Sequence, residues 1–431
     1  NVLGSKSTAV GHNALLFQNP ATASDMNNVA VGYGAGSQIT SGMNNTVIGT
    51  DAGDALTSGG YSTAVGKGAL STEDGHSNNT AVGYEALRDL NAGADGNNVG
   101  VGNIAGRELT TGVENTIVGS FAGDALTDAD YNVAVGYASL SSDTKGNKST
   151  AIGFGALNNQ TFSTSTDTEN TAIGYNAGSA VTNAAGSTFV GYLSGPNSGT
   201  AGTGNANTAI GRLAGYSLTT GNNNCLMGYN AGDLITTGIK NILIGVDTGS
   251  ITVGLTEGNN NVVVGHNAHT SVYNADAQTV LGFECQGAGN STLTFGKAAT
   301  DSSIAYGATS ITAPSDIRLK EDIQDEKIGL DFINELRPVT FLWKKAKDVP
   351  SEMKVHDPDS EERVMNGKHN HGFIAQEVKE AIDKYDIKEG FDMWREDDAD
   401  GRQRVAPSAL IPMLVKAIQE LSAEVTKLKG E

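Results

Sequence analysis

A chain of 431 residues with a net charge of −20, 56 glycines and only 6% aromatic residues is built for repetition rather than for one conventional large core. The acid excess argues against nucleic acid as a partner, which would select a basic surface. No stretch approaches the roughly 20 apolar residues of a membrane span.

The chain begins at Asn1 without a methionine, so a segment upstream is expected. Cys225 and Cys285 occupy slots that other repeats fill with Thr, Val, Ile or Ala, and they read as small buried thiols, not as a framework.

Residues 1–296 repeat. A glycine recurs at Gly11, Gly32, Gly49, Gly66, Gly83 and onward to Gly282, sixteen copies with a commonest spacing of 17, and Gly296 reads as a decayed seventeenth. The residue before each glycine is aliphatic, and the one before that is mostly apolar, with Gly100 the exception. Neighbouring residues of a strand face opposite ways, so both faces of this strand are expected to be covered. A lone solenoid has one dry inside and one wet outside. Copies of the same chain would cover the second face, most simply in a parallel homotrimer.

Three residues after the glycine the side chain is small, Ala in twelve copies. Four residues before it stands Asn in eleven, predicted to form a stacked polar ladder bonding turn backbone. Sixteen coils spaced about 4.8 Å apart would make a rod of about 75 Å. The copy Asn170-Thr171-Ala172-Ile173-Gly174-Tyr175-Asn176-Ala177-Gly178 is similar to the head repeats of trimeric autotransporter adhesins. That resemblance implies a left-handed parallel β-roll, with the extra residues here in outer loops. The longer loops Phe17–Met26 and Asn158–Glu169 are the candidates for receptor contact. Asp54, Asp124 and Asp233 attract a glycosidase reading, but all sit five residues after a motif glycine and read as turn formers. A tyrosine stripe after the glycines (Tyr33, Tyr84, Tyr137, Tyr175, Tyr192, Tyr229) could stack on sugar, but reads as a structural ladder.

Residues 297–314 read as a stem or linker. At Ser315 the composition changes: 315–431 hold 6 glycines and 45 charged residues, against 50 and 31 in 1–314. A short helix is expected over Gly329–Leu336, a strand over Val339–Trp343, and a charged excursion over Lys344–Lys368. A strand end and helix follow over Gly372–Tyr385, then a charged hairpin or loop over Asp397–Arg404. A helix from about Ser408 has Leu414, Ala417, Leu421, Val425 and Leu428 as a coiled-coil seam. His369 and His371 lack metal-ligand spacing and read as structural histidines. Asp397, Asp398 and Asp400 lack the closing glutamate of a calcium loop. No cofactor or metal is expected.

Three ordered blocks carry a second resemblance: Ser315-Asp316-Ile317-Arg318-Leu319-Lys320, His371-Gly372-Phe373-Ile374-Ala375-Gln376-Glu377-Val378, and the run from Leu410-Ile411-Pro412 to Glu420-Leu421. Together they resemble the self-cleaving C-terminal intramolecular chaperones of phage endosialidases and tail fibres. Pro407 departs from that family, which usually carries an aromatic before Leu-Ile-Pro. The resemblance implies a domain over 315–431 and cleavage between Pro314 and Ser315, with Ser315 as nucleophile and Lys320 as base. Chemically this is a single-turnover serine endopeptidase acting on its own chain. Five residues of regular strand or helix cannot bring Ser315 and Lys320 together. A turn must intervene, or the lysine must come from a neighbouring protomer. The competing reading of Ser315 as a helix cap is weakened by Arg318 at the capping-box position.

The expected fold is mostly β: a trimeric parallel β-solenoid followed by a small α+β domain ending in a coiled-coil helix. The expected function is a phage tail fibre or tailspike, located in the virion. Its partners would be two further copies of itself and a host cell-surface receptor such as a glycan. The alternatives are a bacterial cell-surface trimeric adhesin and a polysaccharide-degrading tailspike.

Overall fold

The structure, a computed structural model, describes residues 3–250, 254–353, 355–387, 391–397 and 401–430. It divides into two compact units, 1–314 and 315–431.

The first unit is a parallel β-solenoid. Among the described residues, seventeen short strands from Thr8–Val10 to Thr292–Lys297 form one parallel ladder. Each pairs in register with the strands of the coils before and after it, as in Thr46↔Thr63, Val47↔Ala64 and Ile48↔Val65. Gly296 falls opposite Gly282 and so keeps the ladder register despite its decayed sequence. The ladder ends on an antiparallel strand, Ser302–Ala305, laid along Thr292–Lys297, and Ser303 bridges to Thr312. The segment read as a linker thus contributes a strand that covers the open edge.

The motif glycine is fixed by sterics. At Gly49 φ is +135°, and a Cβ there would lie 2.5 Å from the carbonyl oxygen of Gly66 in the next coil. No other residue tolerates both conditions. The middle residue of the strands after the first (Ala30, Val47, Ile117, Leu226) is fully buried, whereas Ala9 in the terminal strand Thr8–Val10 is exposed. The Gly100 exception has a packing cause, because Leu87 occupies the space its side chain would need, 2.6 Å from the ideal Cβ.

The asparagine ladder forms inside the corner. Asn115 is fully buried; its Oδ1 accepts from Asn132 N at 2.9 Å and its Nδ2 donates to Ala129 O at 2.8 Å. Asn28, Asn45 and Asn132 repeat this pattern one coil apart. Each side chain thus satisfies backbone groups that the turn leaves without partners, which is why short polar amides recur at an apolar centre.

The outward side chains of the strands are open in the single chain. Ile48, Ile173 and Leu281, each just before a motif glycine, are about two-fifths exposed, and the row continues along the array. One strand face makes the core and the other is uncovered by its own chain.

In the second unit, helices α1 (Leu330–Glu335), α2 (Ala375–Tyr385) and α3 (Ile411–Lys429) surround a small core of Phe332, Val378, Ile382, Met393, Leu410 and Met413. Val339–Phe341 pairs antiparallel with Asn370–Gly372, and Trp394–Glu396 with Gln403–Val405. The tip of this second hairpin, 398–400, lies outside the described residues and includes two of the weighed aspartates. Pro407 opens the 3-10 turn Pro407–Leu410 that leads into α3. Glu420 on α3 accepts from Leu330 N at 2.8 Å, holding the start of α1.

Candidate functional site

Ser315 and Lys320 are joined by one 3-10 turn, Ile317–Leu319. Asp316 is its N-cap: the carboxylate accepts from Arg318 N at 2.9 Å and pairs with the Arg318 guanidinium, which holds the Asp316 carboxyl below the usual carboxylate range. Ser315 is therefore not the cap, and its hydroxyl is free for other work. Lys320 leaves the turn in extended conformation and its Nζ donates to Ser315 Oγ at 2.8 Å. Pro314, Ser315 and Lys320 are all exposed, as are Ile317, Leu319 and Ile323 beside them. The hydroxyl and the amine thus stand within hydrogen-bond reach at the first residues of the second unit, which is the distance condition for a serine and a neighbouring base.

The other candidates of the sequence resolve differently. Asp54, Asp124 and Asp233 keep their common register, and their main-chain carbonyls join the ladder, accepting from Gln38, Glu108 and Ser217 N. Burial raises all three carboxyls, and Asp247 helps push Asp233 up to about 6. They stand on coils at least four apart, about 19 Å at 4.8 Å per coil, beyond the roughly 5–9.5 Å of paired glycosidase carboxylates.

The aromatic stripe is a stack running along the array. Tyr137, Phe154, Tyr175 and Tyr192 lie 5.1–5.4 Å apart, nearly parallel, and Arg212 covers the far side of Tyr192. Ring faces spent on one another leave only edges to solvent, so this stack is a structural ladder and not a sugar platform. The longer loops are anchored as well. Ser24–Asp25 pairs with Gly4–Ser5 and Thr166–Asp167 with Gly146–Asn147, while Gln160, fully buried, donates to Asp143 Oδ2 at 2.6 Å. His369 and His371, read as structural histidines, are both exposed, and His371 lies within the strand Asn370–Gly372 opposite Thr340. Cys285 is buried as read, its thiol pushed up to about 11 by burial and Asp301, and Cys225 is partly exposed.

The seam on α3 differs from the one expected. Ala417 is buried with Leu410 and Met413 in the domain core, while Ile411, Leu414, Ile418, Leu421, Val425 and Leu428 are exposed. Their spacing of 3, 4, 3, 4 and 3 was available in the sequence, but Ala417 offered an equally good 3-residue step from Leu414.

The chain thus pairs a repetitive β-solenoid with a small C-terminal module that opens on a serine–lysine pair. Residues 315–387 match the family described as the chaperone of endosialidase, beginning at Ser315 itself. No curated protein matches the chain. The match points to self-association into trimers and to a folding role for the module on a solenoid fibre.

Proposed function

We propose that this chain is a trimeric attachment fibre of a phage tail, folded by its C-terminal module, which then releases itself. The observation that carries the reading is Lys320 Nζ at 2.8 Å from Ser315 Oγ, at the start of the family match and at the boundary between the two units. Ser315 Oγ attacks the Pro314 carbonyl carbon while Lys320 takes the hydroxyl proton. The proton passes to the departing amide nitrogen, leaving an ester to Pro314 and a free amine on Ser315. Water hydrolyses the ester, giving a new carboxylate at Pro314 and a free C-terminal module.

Parallel winding of repeated coils depends on register being set before distant contacts form, and such topologies fold slowly. Joining three chains at one end lowers that entropic barrier. The exposed aliphatic row of the solenoid and the exposed seam of α3 both suit burial against copies of the same chain. Attachment to a host receptor rests on the resemblance to tail fibres alone.

Intact-mass measurement of the expressed chain tests the cut: two products meeting at Pro314–Ser315 are expected, and a chain that stays whole when trimeric removes the autoproteolytic part. Light scattering tests assembly separately.

A further inference from the structure

The coils of the solenoid are an internal alignment, and one coil breaks the pattern at three places that meet in space. Seven, eight and ten residues after the motif glycine, one coil carries Leu56, Thr57 and Gly59, and another Leu109, Thr110 and Gly112. The coil of Gly66 carries Glu73, Asp74 and His76 there. The leucine corner is fully buried, and Glu73 in its place is fully buried too. His76 sits in the slot of a glycine, its carbonyl stacked on Gly59.

The three side chains converge. Glu73 Oε1 is 2.9 Å from His76 Nδ1, Asp74 Oδ1 is 3.9 Å from the same nitrogen, and the three ligand atoms all lie within 4.8 Å of one another. The Asp74 backbone is held because its carbonyl accepts both Thr57 N at 2.5 Å and Thr57 Oγ1 at 2.8 Å. Among the described residues no lysine or arginine pairs with Glu73. Its Oε1 meets His76 Nδ1 and accepts from His76 N at 3.1 Å, and among the described residues its second oxygen meets only Ala92 N at 3.5 Å. Asp143, fully buried in the same slot of another coil, is met by Gly146 N, Phe162 N and Gln160 Nε2. The second oxygen of Glu73 has only the long contact to Ala92 N, and a buried carboxylate needs compensation.

We propose that Glu73, Asp74 and His76 bind a divalent transition-metal ion of the Zn2+ class. Bonds of about 2.0–2.1 Å in a tetrahedral site put ligands about 3.3 Å apart, between the 2.9 and 3.9 Å found here. One imidazole nitrogen with two carboxylates suits Zn2+ over Ca2+ or Mg2+, which take six or more oxygens. Glu73 supplies a fixed buried ligand, while exposed Asp74 and half-buried His76 leave a path for the ion and for water as fourth ligand. The site ties three neighbouring positions of one loop and needs no other chain.

The test uses the untagged full-length protein stripped by chelator and titrated with Zn2+ by calorimetry and Co2+ by visible absorption. One ion per chain is expected for wild type. Glu73→Leu and His76→Gly restore the residues of other coils, so both should fold, and each should bind at least tenfold more weakly. Zn2+ should raise the melting temperature of wild type and not of these variants. Absence of binding by wild type, or equal binding by wild type and both variants, would overturn the proposal and leave Glu73–His76 as a hydrogen-bonded pair only.

Discussion

Lys320 Nζ reaches Ser315 Oγ at 2.8 Å because one 3-10 turn, capped by Asp316, folds the five-residue interval between them. A lysine accepts a proton from serine only after burial has removed its own, and here both side chains are exposed. For the proposed cleavage, covering the segment on which Ile317, Leu319 and Ile323 stand exposed would supply that burial.

Replacing Lys320 by arginine separates chemistry from charge. Arginine keeps the positive charge and the hydrogen bond to Ser315 but holds its proton at any working pH. Lys320→Arg, Lys320→Ala and Ser315→Ala should each assemble and stay whole by intact mass. Cleavage of Lys320→Arg at the wild-type rate would remove lysine from the role of base.

The two faces of α3 should respond oppositely to charge. Ile418 is 65% exposed, whereas Ala417 is 5% exposed within the domain core. Ile418→Asp is expected to leave helix content unchanged by circular dichroism while lowering the mass seen by light scattering. Ala417→Asp should unfold the module, since a buried unpaired carboxylate costs several kcal/mol. A trimer that survives Ile418→Asp places the contact surface elsewhere.

How much of this was legible follows from which residues repeat. The glycine, the aliphatic pair and the asparagine corner recur at fixed spacing, so the strand, its buried middle and the polar ladder could be read before any coordinates. Each of those positions is set by contact with its own counterpart one coil away, and periodicity records such contacts directly. The Ser315–Lys320 approach was open to two routes, because linear spacing excludes regular structure without choosing the turn. Ala417 was misplaced because a 3-and-4 pattern marks an apolar stripe without saying which partner covers it. Glu73 and His76 went unread, since their signal is a departure from the repeat on one coil.

Asp233 links the solenoid to pH. Burial, aided by Asp247, raises its carboxyl to about 6 in the folded chain, above the ordinary 3.8. The folded state therefore holds this proton more tightly than the unfolded one. The stabilising contribution is full below pH 3.8 and is lost as pH rises through about 6. Asp233→Asn removes the titration and should melt higher than wild type above pH 6, with the gap closing towards pH 4. Melting curves across that window check it, and a gap independent of pH would show that ionisation of Asp233 does not matter.

Asn115 is expected to be the most sensitive kind of residue in the array, ahead of apolar neighbours of similar size. Its amide satisfies Asn132 N and Ala129 O, and also meets Asn98 Oδ1 at 3.1 Å, all inside a corner closed to water. Asn115→Ala would leave a buried donor and a buried acceptor without partners, at about 1–3 kcal/mol each. Asn115→Asp would keep the acceptor for Asn132 N but turn the donor into a charged oxygen facing Ala129 O. Aspartate should therefore be worse than alanine at pH 7, and lowering the pH should recover part of the loss, because a protonated carboxyl can donate again. Val47→Ala, which removes two methyl groups from a fully buried strand centre, should cost about 1–3 kcal/mol, with no dependence on pH. Denaturant melts of the three variants at pH 5 and pH 7 give the order directly. If Asn115→Asp matches Asn115→Ala at both pH values, the amide is filling space in the corner and its hydrogen bonds do not hold the coils in register.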